Sequence, residues 1–215
     1  MVSKRTLSSG PALNRAAKAV LIQAGQWRRT PITVANVPGL RPTPDRVRET
    51  VFNWLGQRLI GRHCLDLFAG TGALGFEAAS RGAASVTLIE SNRLASSHIR
   101  TLMDRLDARN MTLIEGDALT NLGRLPKQFF DVIFLDPPFD QGILEQALPK
   151  VIPVLKPEGL IYVESEMPLT ASLIGAWAPQ APLSLIKADK AGKVYYHLIS
   201  YTISNPTNKT SEHSS

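Results

Sequence analysis

A regular alternation of short apolar runs and helical segments constrains this chain more than any other feature of its sequence. Four apolar runs follow one another about 20 residues apart, at residues 64–69, 85–90, 111–116 and 131–136. Residues 73–82 and 91–107, which lie between them, have the composition of helices. Parallel strands need such crossovers, and the helices then cover both faces of the sheet. The sequence therefore predicts an α/β protein with a doubly wound, mostly parallel sheet.

The last part of the chain departs from this alternation. Residues 160–166 form a fifth apolar run, and residues 182–202 have the pattern of two strands joined by a turn at Lys190–Gly192. Two strands joined by so short a turn pair in the antiparallel sense. We therefore predict that the sheet ends in an antiparallel hairpin.

The first strand runs directly into a glycine-rich turn. Gly70, Gly72 and Gly75 form a G-x-G-x-x-G pattern between a strand and a helix. Glycines at this place permit a tight turn and bring a ligand close to the backbone N–H groups at the start of the helix. Glu90 ends the second strand 20 residues after Gly70, where an acid can hold the two hydroxyl groups of a ribose. The pattern predicts a cofactor that contains a nucleoside.

The glycine pattern alone does not distinguish a dinucleotide from S-adenosylmethionine, because both contain an adenosine ribose. Asp66, just before the loop, favours S-adenosylmethionine, since its charge suits the amino group of a methionine and not a pyrophosphate. Asp117 follows the third strand and is placed to accept a hydrogen bond from the amino group of adenine. The same residue suits the N-cap of a helix, and the sequence leaves both roles open.

The fourth strand ends abruptly in Asp136-Pro137-Pro138-Phe139, which cannot continue a strand because proline lacks an N–H group. An exocyclic amine on a nucleobase is a poor nucleophile, since its lone pair is delocalised into the ring. It must be held by its N–H groups, and Asp136 and the carbonyl of Pro137 supply two acceptors. The prolines stiffen the turn, and Phe139 offers a face on which a flipped base stacks. The quartet predicts methylation of such an amine.

Basic residues are concentrated in the first part of the chain. The net charge of the chain is +6, but residues 1–62 hold eleven Lys or Arg and only two acids, a net charge of +9. The remaining residues carry a net charge of −3. A basic segment attached to a mildly acidic domain is typical of a protein with a polyanionic partner.

The basic segment itself contains a predicted hairpin and a predicted helix. Residues 19–23 and 32–35 are expected to pair as two short strands. The helix that follows has Thr43 as its expected N-cap. Its apolar residues form one stripe, and we expect Arg46 and Arg48 to lie off that stripe, free to reach a partner.

The remaining composition bounds the chemistry and the compartment. The chain has one cysteine, which excludes an intrachain disulfide, and four histidines that show no metal-ligand spacing. No apolar run approaches the roughly 18 residues that a membrane span needs. The first residues lack the apolar core of a signal peptide. We expect a cytoplasmic protein that uses no metal and contacts no membrane.

The motifs taken together resemble known families. FAGTGALG, Glu90 and DPPF resemble the Rossmann-like S-adenosylmethionine-dependent methyltransferases that modify exocyclic amines. Upstream, GLRPTPDRVRETVFNWL resembles the bacterial 16S ribosomal RNA (guanine(966)-N(2))-methyltransferase family, called RsmD, and the resemblance covers residues 20–203. It implies methylation of N2 of a guanine in 16S ribosomal RNA, within the small ribosomal subunit or its assembly intermediate. The chain departs from the family after Trp27-Arg28, where it has Arg29-Thr30-Pro31 in place of the usual glycine and basic residue.

The motifs and the resemblance together identify the residues of the expected site. The expected contacts with S-adenosylmethionine are Asp66, Phe68, Ala69, Gly70, Gly72, Glu90, Asp117 and Ala118. The residues expected to hold the target amine are Asp136, Pro137, Pro138 and Phe139. The expected RNA contacts are Arg28, Arg29, Arg41, Thr43, Arg46 and Arg48.

We expect four parts along the chain. They are a disordered tail (1–17), a basic extension that binds RNA (18–62), a catalytic domain that binds S-adenosylmethionine (63–203) and a second disordered tail (204–215).

Three alternative functions remain open from the residues alone. A DNA adenine-N6 methyltransferase also uses a DPPF-type turn, but such enzymes generally need longer sequence-reading segments. A nicotinamide-dependent oxidoreductase would use the glycine loop and leave the DPPF turn and the basic segment without a purpose. A non-catalytic RNA-binding protein of the same fold would not need the intact quartet.

Overall fold

The structure is a computed structural model, and it describes residues 20–37, 43–139 and 142–202. Both predicted tails, at residues 1–17 and 204–215, lie outside the described residues. Among the described residues, no helix combines the length and the apolar character that crossing a membrane would require.

Within the described residues, seven strands form one sheet and two short strands form a separate pair. The short pair, β1 (Val20–Leu21) and β2 (Pro31–Ile32), is antiparallel, as the sequence predicted. The main sheet contains β3 (His63–Asp66), β4 (Ser85–Glu90), β5 (Met111–Glu115), β6 (Phe130–Leu135), β7 (Leu155–Ser165), β8 (Leu183–Ala191) and β9 (Val194–Tyr201). Their order across the sheet is β5-β4-β3-β6-β7-β9-β8. Strands β3 to β7 pair in parallel, and β9 is antiparallel to both of its neighbours.

Helices cover both faces of the sheet. They are α1 (Asp45–Trp54), α2 (Ala73–Ser80), α3 (Arg93–Arg105), α4 (Ala118–Leu122), α5 (Ile143–Val151) and α6 (Ala171–Trp177). The first three contribute to one apolar core and the last three to another on the opposite face. The doubly wound fold predicted from the sequence is therefore confirmed. Helices α5 and α6 are not predicted by the sequence pattern, because α5 contains Pro149 and α6 has only seven residues.

The final hairpin is also confirmed, with a shifted turn. Strand β8 continues through Lys190 and Ala191, so the turn predicted at Lys190–Gly192 lies instead at Gly192 and Lys193. Gly192 has a φ of +61°, a value that glycine adopts without strain.

The strand order creates a crevice beside the glycine loop. From β3 the chain builds outward through β4 and β5, and then returns to place β6 on the other side of β3. The connections after β3 and β6 therefore leave in opposite directions, which opens a space at the carboxyl ends of these two strands. Asp66 on β3 pairs with Phe134 on β6, so the residues that follow both strands lie at this opening.

A buried ion-pair cluster joins the first hairpin to the main sheet. Glu77 of α2 is fully buried, and its carboxylate accepts hydrogen bonds from the backbone N–H groups of Gln23 and Ala24, at 2.7 and 3.0 Å. The same carboxylate accepts from Arg81 at 2.8 Å and lies 3.6 Å from Nη1 of Arg48. Glu77 thus holds together α1, α2 and the loop of the hairpin.

Arg48 differs from its prediction. Its side chain is fully buried, donates to the carbonyl of Leu21 at 2.9 Å and pairs with Asp45 at 2.6 Å. The prediction that Arg48 is free to reach a partner is wrong, because this residue lies on the buried face of α1, one turn before Phe52. Burial beside Glu77 turns an expected surface charge into part of the core.

The turn of the first hairpin closes in spite of its departure from the family sequence. Arg29 has a φ of +69°, which explains why a glycine is usual at this position and which costs an arginine about 1–2 kcal/mol. Its N–H nevertheless donates to the carbonyl of Ile22 at 2.7 Å, and the N–H of Ile22 donates to Thr30 at 3.0 Å. Arg28 and Arg29 are both exposed.

We expect Glu77→Ala to reduce the free energy of unfolding by about 3–5 kcal/mol, because it leaves the charge of Arg48 buried with too few partners. Urea denaturation followed by circular dichroism measures this loss. Glu115→Ala is the matched control: Glu115 forms an exposed ion pair with Arg100, so its removal should cost less than about 1 kcal/mol. Equal effects of the two substitutions would contradict a central role for Glu77.

Candidate functional site

The glycine loop has the conformation that its sequence predicted. Gly70 and Gly72 have φ values of +54° and +76°, and Gly72 is the N-cap of α2. A Cβ atom on Gly75 would lie 2.8 Å from the side chain of Leu88, so this glycine permits α2 to pack closely on β4. Each glycine therefore has a steric reason, and the N-terminus of α2 faces the crevice.

Glu90 fixes the loop from the neighbouring strand. One of its oxygens accepts a hydrogen bond from the N–H of Gly70 at 2.7 Å, and the other accepts from the N–H of Asn92 at 2.6 Å. The backbone of Ala69 is also tied to this strand, because its N–H donates to the carbonyl of Ile89 at 3.0 Å. The acid predicted to hold a ribose thus lies directly against the glycine loop.

Asp66 is buried at the end of β3. Only 2% of the residue is exposed, and its Oδ2 atom accepts a hydrogen bond from the N–H of Gly75 at 2.9 Å. Burial raises its pKa from an ordinary 3.8 to about 7, an effect that the Gly75 hydrogen bond reduces and the charges of Glu90 and Glu164 reinforce.

Asp136 lies beside Asp66, one residue after β6. It is half-buried, and its Oδ2 atom is 3.4 Å from the hydroxyl of Thr43. Burial raises its pKa well above the ordinary value, and the charges of Glu164 and Asp66 raise it further. Of the other residues of the quartet, Pro137 is buried, Pro138 is exposed and Phe139 is half-buried.

Two of the remaining expected cofactor contacts lie beside this centre. Asp117 forms the N-cap of α4, and its Oδ1 atom accepts from the N–H and the hydroxyl of Thr120 at 2.7 and 2.6 Å. These bonds lower its pKa. The capping role that the sequence left open is therefore present, and the contact with adenine stays a prediction. Ala118 is buried behind Asp117, and the N–H of Gly116 donates to the carbonyl of Glu90 at 2.9 Å.

Two residues of the candidate site, Tyr162 and Glu164 of β7, were not predicted from the sequence. Val163 pairs with Leu135, so Glu164 is the neighbour of Asp136 across the two strands. Glu164 is 3% exposed, and one of its oxygens accepts a hydrogen bond from the hydroxyl of Tyr162 at 2.8 Å. Burial raises the pKa of Glu164, and hydrogen bonds from Tyr162 and Thr43 reduce the shift. An acid that ends an apolar run beside another such acid was the signal available in the sequence.

Thr43 has a different role from the one predicted. Helix α1 begins at Asp45 after Pro44, and it has no side-chain cap. The hydroxyl of Thr43 points instead to Asp136, and the residue is only 6% exposed. The prediction that Thr43 is the N-cap is therefore wrong, because its side chain is turned toward the carboxylates, and its contact with RNA stays a prediction.

The expected RNA contacts do not form one surface. Ser80, the last residue of α2, accepts a hydrogen bond from the N–H of Gln26, so the adjacent turn with Arg28 and Arg29 lies at the far end of α2 from the glycine loop. This distance is about 12 Å for a helix of eight residues. Arg46 is exposed near the crevice, and Arg41 lies outside the described residues.

Three acids meet at this end of the sheet: Asp66 and Glu164 are buried, and Asp136 is half-buried. None of the ion pairs found among the residues that the structure describes includes them. In the same part of the chain, no group of three or more His, Cys, Asp or Glu side chains could hold a metal ion. Buried carboxylates without cations are costly unless a ligand supplies positive charge or N–H donors. The crevice is therefore suited to a cationic ligand that is rich in such donors.

Comparisons with known proteins agree with this arrangement. A model of the family described as Conserved hypothetical protein 95 matches residues 20–200. The chain is 41% identical over 182 residues to ribosomal RNA small subunit methyltransferase D of Escherichia coli (strain K12), covering 83% of this chain and 88% of that protein. The relative of the same name from Haemophilus influenzae is 40% identical over 184 residues, covering 83% and 92%.

Solved structures of similar proteins have the same fold as this chain. The putative methyltransferase yhhF from Escherichia coli has a TM-score of 0.74 and 40% identity, covering 86% of this chain and 98% of that one. The putative methylase HI0767 from Haemophilus influenzae has a TM-score of 0.69 and 35% identity, covering 86% and 99%. The Rossmann-like methyltransferase fold predicted from the sequence is confirmed.

The raised pKa of Asp66 predicts how stability depends on pH. Its folded-state pKa of about 7 lies above the ordinary 3.8, so its contribution to stability is fully present below about pH 4 and is lost as the pH rises through 7. Asp66→Asn removes this dependence. We expect the variant to gain about 1–3 kcal/mol relative to the parent between pH 5 and pH 8, measured by urea denaturation without ligand.

Asp117→Asn is the control for this measurement. Because hydrogen bonds from Thr120 lower the pKa of Asp117, its replacement should bring no gain in relative stability as the pH rises. A difference between Asp66→Asn and the parent that does not change with pH would show that Asp66 is not strained by its charge.

Proposed function

Because this chain belongs to the Conserved hypothetical protein 95 family, whose bacterial relatives are named ribosomal RNA small subunit methyltransferase D, we propose that it methylates ribosomal RNA with S-adenosylmethionine. The target is the N2 amine of a guanine in 16S ribosomal RNA. The observation that carries this proposal is a group of three carboxylates, two of them buried and one half-buried, without an ion-pair partner among the described residues and beside a glycine loop. Neither a DNA adenine-N6 methyltransferase nor a nicotinamide-dependent oxidoreductase is favoured by a comparable observation.

The residues around the glycine loop fit S-adenosylmethionine. Asp66 would pair with the ammonium group of the methionine part, which compensates a charge that is otherwise buried. Glu90 would hold the ribose hydroxyls, and Asp117 the adenine amino group, with the backbone of Phe68 to Gly72 around them. When bound, S-adenosylmethionine supplies a methyl group on a positively charged sulfur. Its charge also suits the negative crevice.

The quartet would hold the target base. The carboxylate of Asp136 accepts one hydrogen bond from the amine, and the carbonyl of Pro137 accepts the other, which fixes the nitrogen toward the methyl group. Phe139 offers a stacking surface for the flipped base, worth about 1–3 kcal/mol. Positioning supplies most of the catalysis, because the oriented amine needs no strong base. The methylated nitrogen is cationic and loses its proton readily to Asp136 or to water.

We propose that the RNA extends over the basic surface around the crevice. Arg46 is exposed beside the carboxyl edge of the sheet, and its charge acts on Asp189 of β8. The tip of the β8–β9 hairpin rises at the same edge, since Tyr195 pairs with Ser165 at the end of β7. This tip adds the exposed residues Lys187, Lys190 and Lys193. Arg28 and Arg29 would contact a more distant part of the RNA.

The substrate and the compartment follow from the same proposal. The RNA is 16S ribosomal RNA within the small subunit or its assembly intermediate, and the protein would work in the cytoplasm, where subunits are assembled. The test is transfer of tritiated methyl groups to small subunits purified from a strain that lacks this protein. Nucleoside analysis of the product should show N2-methylguanosine. Absence of transfer, or methylation of another nucleoside, would overturn the proposal.

Substitutions of Asp136 test the proposed grip on the amine. We expect Asp136→Ala to lower the single-turnover rate of methyl transfer by a factor on the order of 10² or more, with the fold and the cofactor affinity nearly intact. Asp136→Asn keeps one acceptor oxygen without the charge, so it should retain more activity than the alanine variant. Asp107→Ala, at an exposed site, is the control and should have the parent rate. A folded Asp136→Ala protein as fast as the parent would rule out this mechanism.

The RNA surface is tested by the salt dependence of binding. Replacing Arg46, Lys187 and Lys193 with alanine should weaken RNA binding. It should also reduce the magnitude of the slope of log K against log salt concentration by up to about 3, because a protein that makes fewer phosphate contacts releases fewer counterions. A second variant, in which Arg28 and Arg29 are replaced with alanine, measures how much the turn of the first hairpin contributes to RNA binding. Filter binding across a salt series gives both slopes.

The matched control removes three basic residues at the opposite edge of the sheet. Arg62, Arg124 and Lys127 are exposed and lie just before β3 and β6, where those strands begin. Their replacement changes the net charge by the same amount and should leave the salt slope at the parent value. Equal slopes for the two triple variants would mean that only the overall charge matters.

A further inference from the structure

Glu164 is a buried acid that the proposed mechanism does not use. It lies on β7 beside Asp136, and it has almost no exposed surface. Among the described residues, the hydrogen bonds to its side chain come from the hydroxyls of Tyr162 and Thr43. It therefore caps no helix and closes no turn in that part of the chain. A buried carboxylate that stabilises no helix end or turn is expected to affect the charge and position of the side chains beside it.

The hydroxyl of Thr43 cannot donate a hydrogen bond to Asp136 and to Glu164 at the same time. The hydroxyl of Thr43 is 3.4 Å from Asp136 and also interacts with Glu164. A hydroxyl has one proton, so it donates to only one of the two carboxylates at a time. Either a proton is shared within the pair, or a ligand must supply a further N–H donor.

We propose that Glu164 is a positioning residue for the methyl transfer, which holds Asp136 through Thr43 and strengthens it as the acceptor of the amine and its proton. This inference rests on the proposed function. In the step, the lone pair of the amine forms the N–C bond while the C–S bond breaks, and the bonding electron pair stays on sulfur. One N–H proton passes to Asp136. The charge that remains on Glu164 favours this transfer, because it stabilises a neutral Asp136 beside it.

Two further acids and two tyrosines surround the pair. Asp66 faces it from β3, with Glu90 of β4 beyond the glycine loop, and both are acids. Tyr162 lies on the same strand as Glu164, and Tyr196 of β9 pairs with Glu164 across the two strands. Asp136 and Glu164 are neighbours across two strands, so the charge of Glu164 raises the pKa of Asp136. Removal of one charge from this pair should be visible in the activity at low pH.

The test is the pH dependence of the single-turnover rate of Glu164→Gln, at saturating S-adenosylmethionine, on small subunits from a strain that lacks the protein. The parent should lose activity at low pH, where Asp136 takes up a proton. In the variant, the midpoint of this loss should fall by about one pH unit or more, because the neighbouring charge is gone. The plateau at high pH should fall by a factor on the order of 10, since Asp136 is held less firmly.

Three further variants make the result specific. Glu164→Asp keeps the charge and should keep the midpoint of the parent, with a lower plateau. Glu115→Gln removes an exposed acid at the end of β5 and should change neither quantity. Tyr162→Phe deletes the hydroxyl that donates to Glu164, which favours a neutral Glu164 and should lower the midpoint by a smaller amount. This last variant decides the question if Glu164→Gln does not fold.

The outcomes separate this inference from the proposed function. If the parent transfers no methyl group to the subunits, the proposed function fails. If the parent is active and Glu164→Gln has the parent midpoint, Glu164 does not act through Asp136. A uniformly reduced rate with an unmoved midpoint would indicate a purely structural role and would also overturn the inference.

Discussion

The crowding of negative charge at the ends of three adjacent strands is the constraint on which the rest of the site depends. Asp66 and Glu164 lie at the carboxyl ends of β3 and β7, Asp136 directly follows β6, and the parallel register brings the three to one edge. Their burial raises the pKa of each. Such an arrangement destabilises the folded protein, so it persists only where the surrounding fold is stable enough and where a ligand binds more tightly because of it. We infer that the free protein holds part of its binding energy as electrostatic strain.

Local patterns in the sequence were sufficient to predict most of the sheet and the loops at its carboxyl edge. Strand periodicity and the φ requirements of glycine and proline are properties of neighbouring residues, so the glycine loop and the turn at Asp136 could be located without a structure. Helices α5 and α6 could not be predicted in this way, because α5 contains a proline and α6 is too short to show a clear helical periodicity.

The errors at the site have a different cause. Thr43 and Asp136 are 93 residues apart in the chain, and Arg48 finds Glu77 only after α1 has packed on α2. A sequence pattern shows which face of a helix is apolar, but it cannot show that a buried acid on another helix will pair with an arginine on that face. Glu164 was overlooked because no motif of known spacing surrounds it. Long-range pairing of polar side chains is thus the part of this molecule that sequence reasoning could not supply.

The contact between Thr43 and Asp136 has a consequence for how this protein can be modified. Under the proposed function this segment would supply both a nucleic-acid surface and a side chain of the crevice, so it is not an interchangeable module. Grafting another recognition segment in place of residues 20–55 would also remove Thr43 from the crevice and Arg48 from Glu77. Changes of target, whether by engineering or by natural drift, are therefore confined to exposed positions such as Arg46, while the buried side of the same helix must stay fixed.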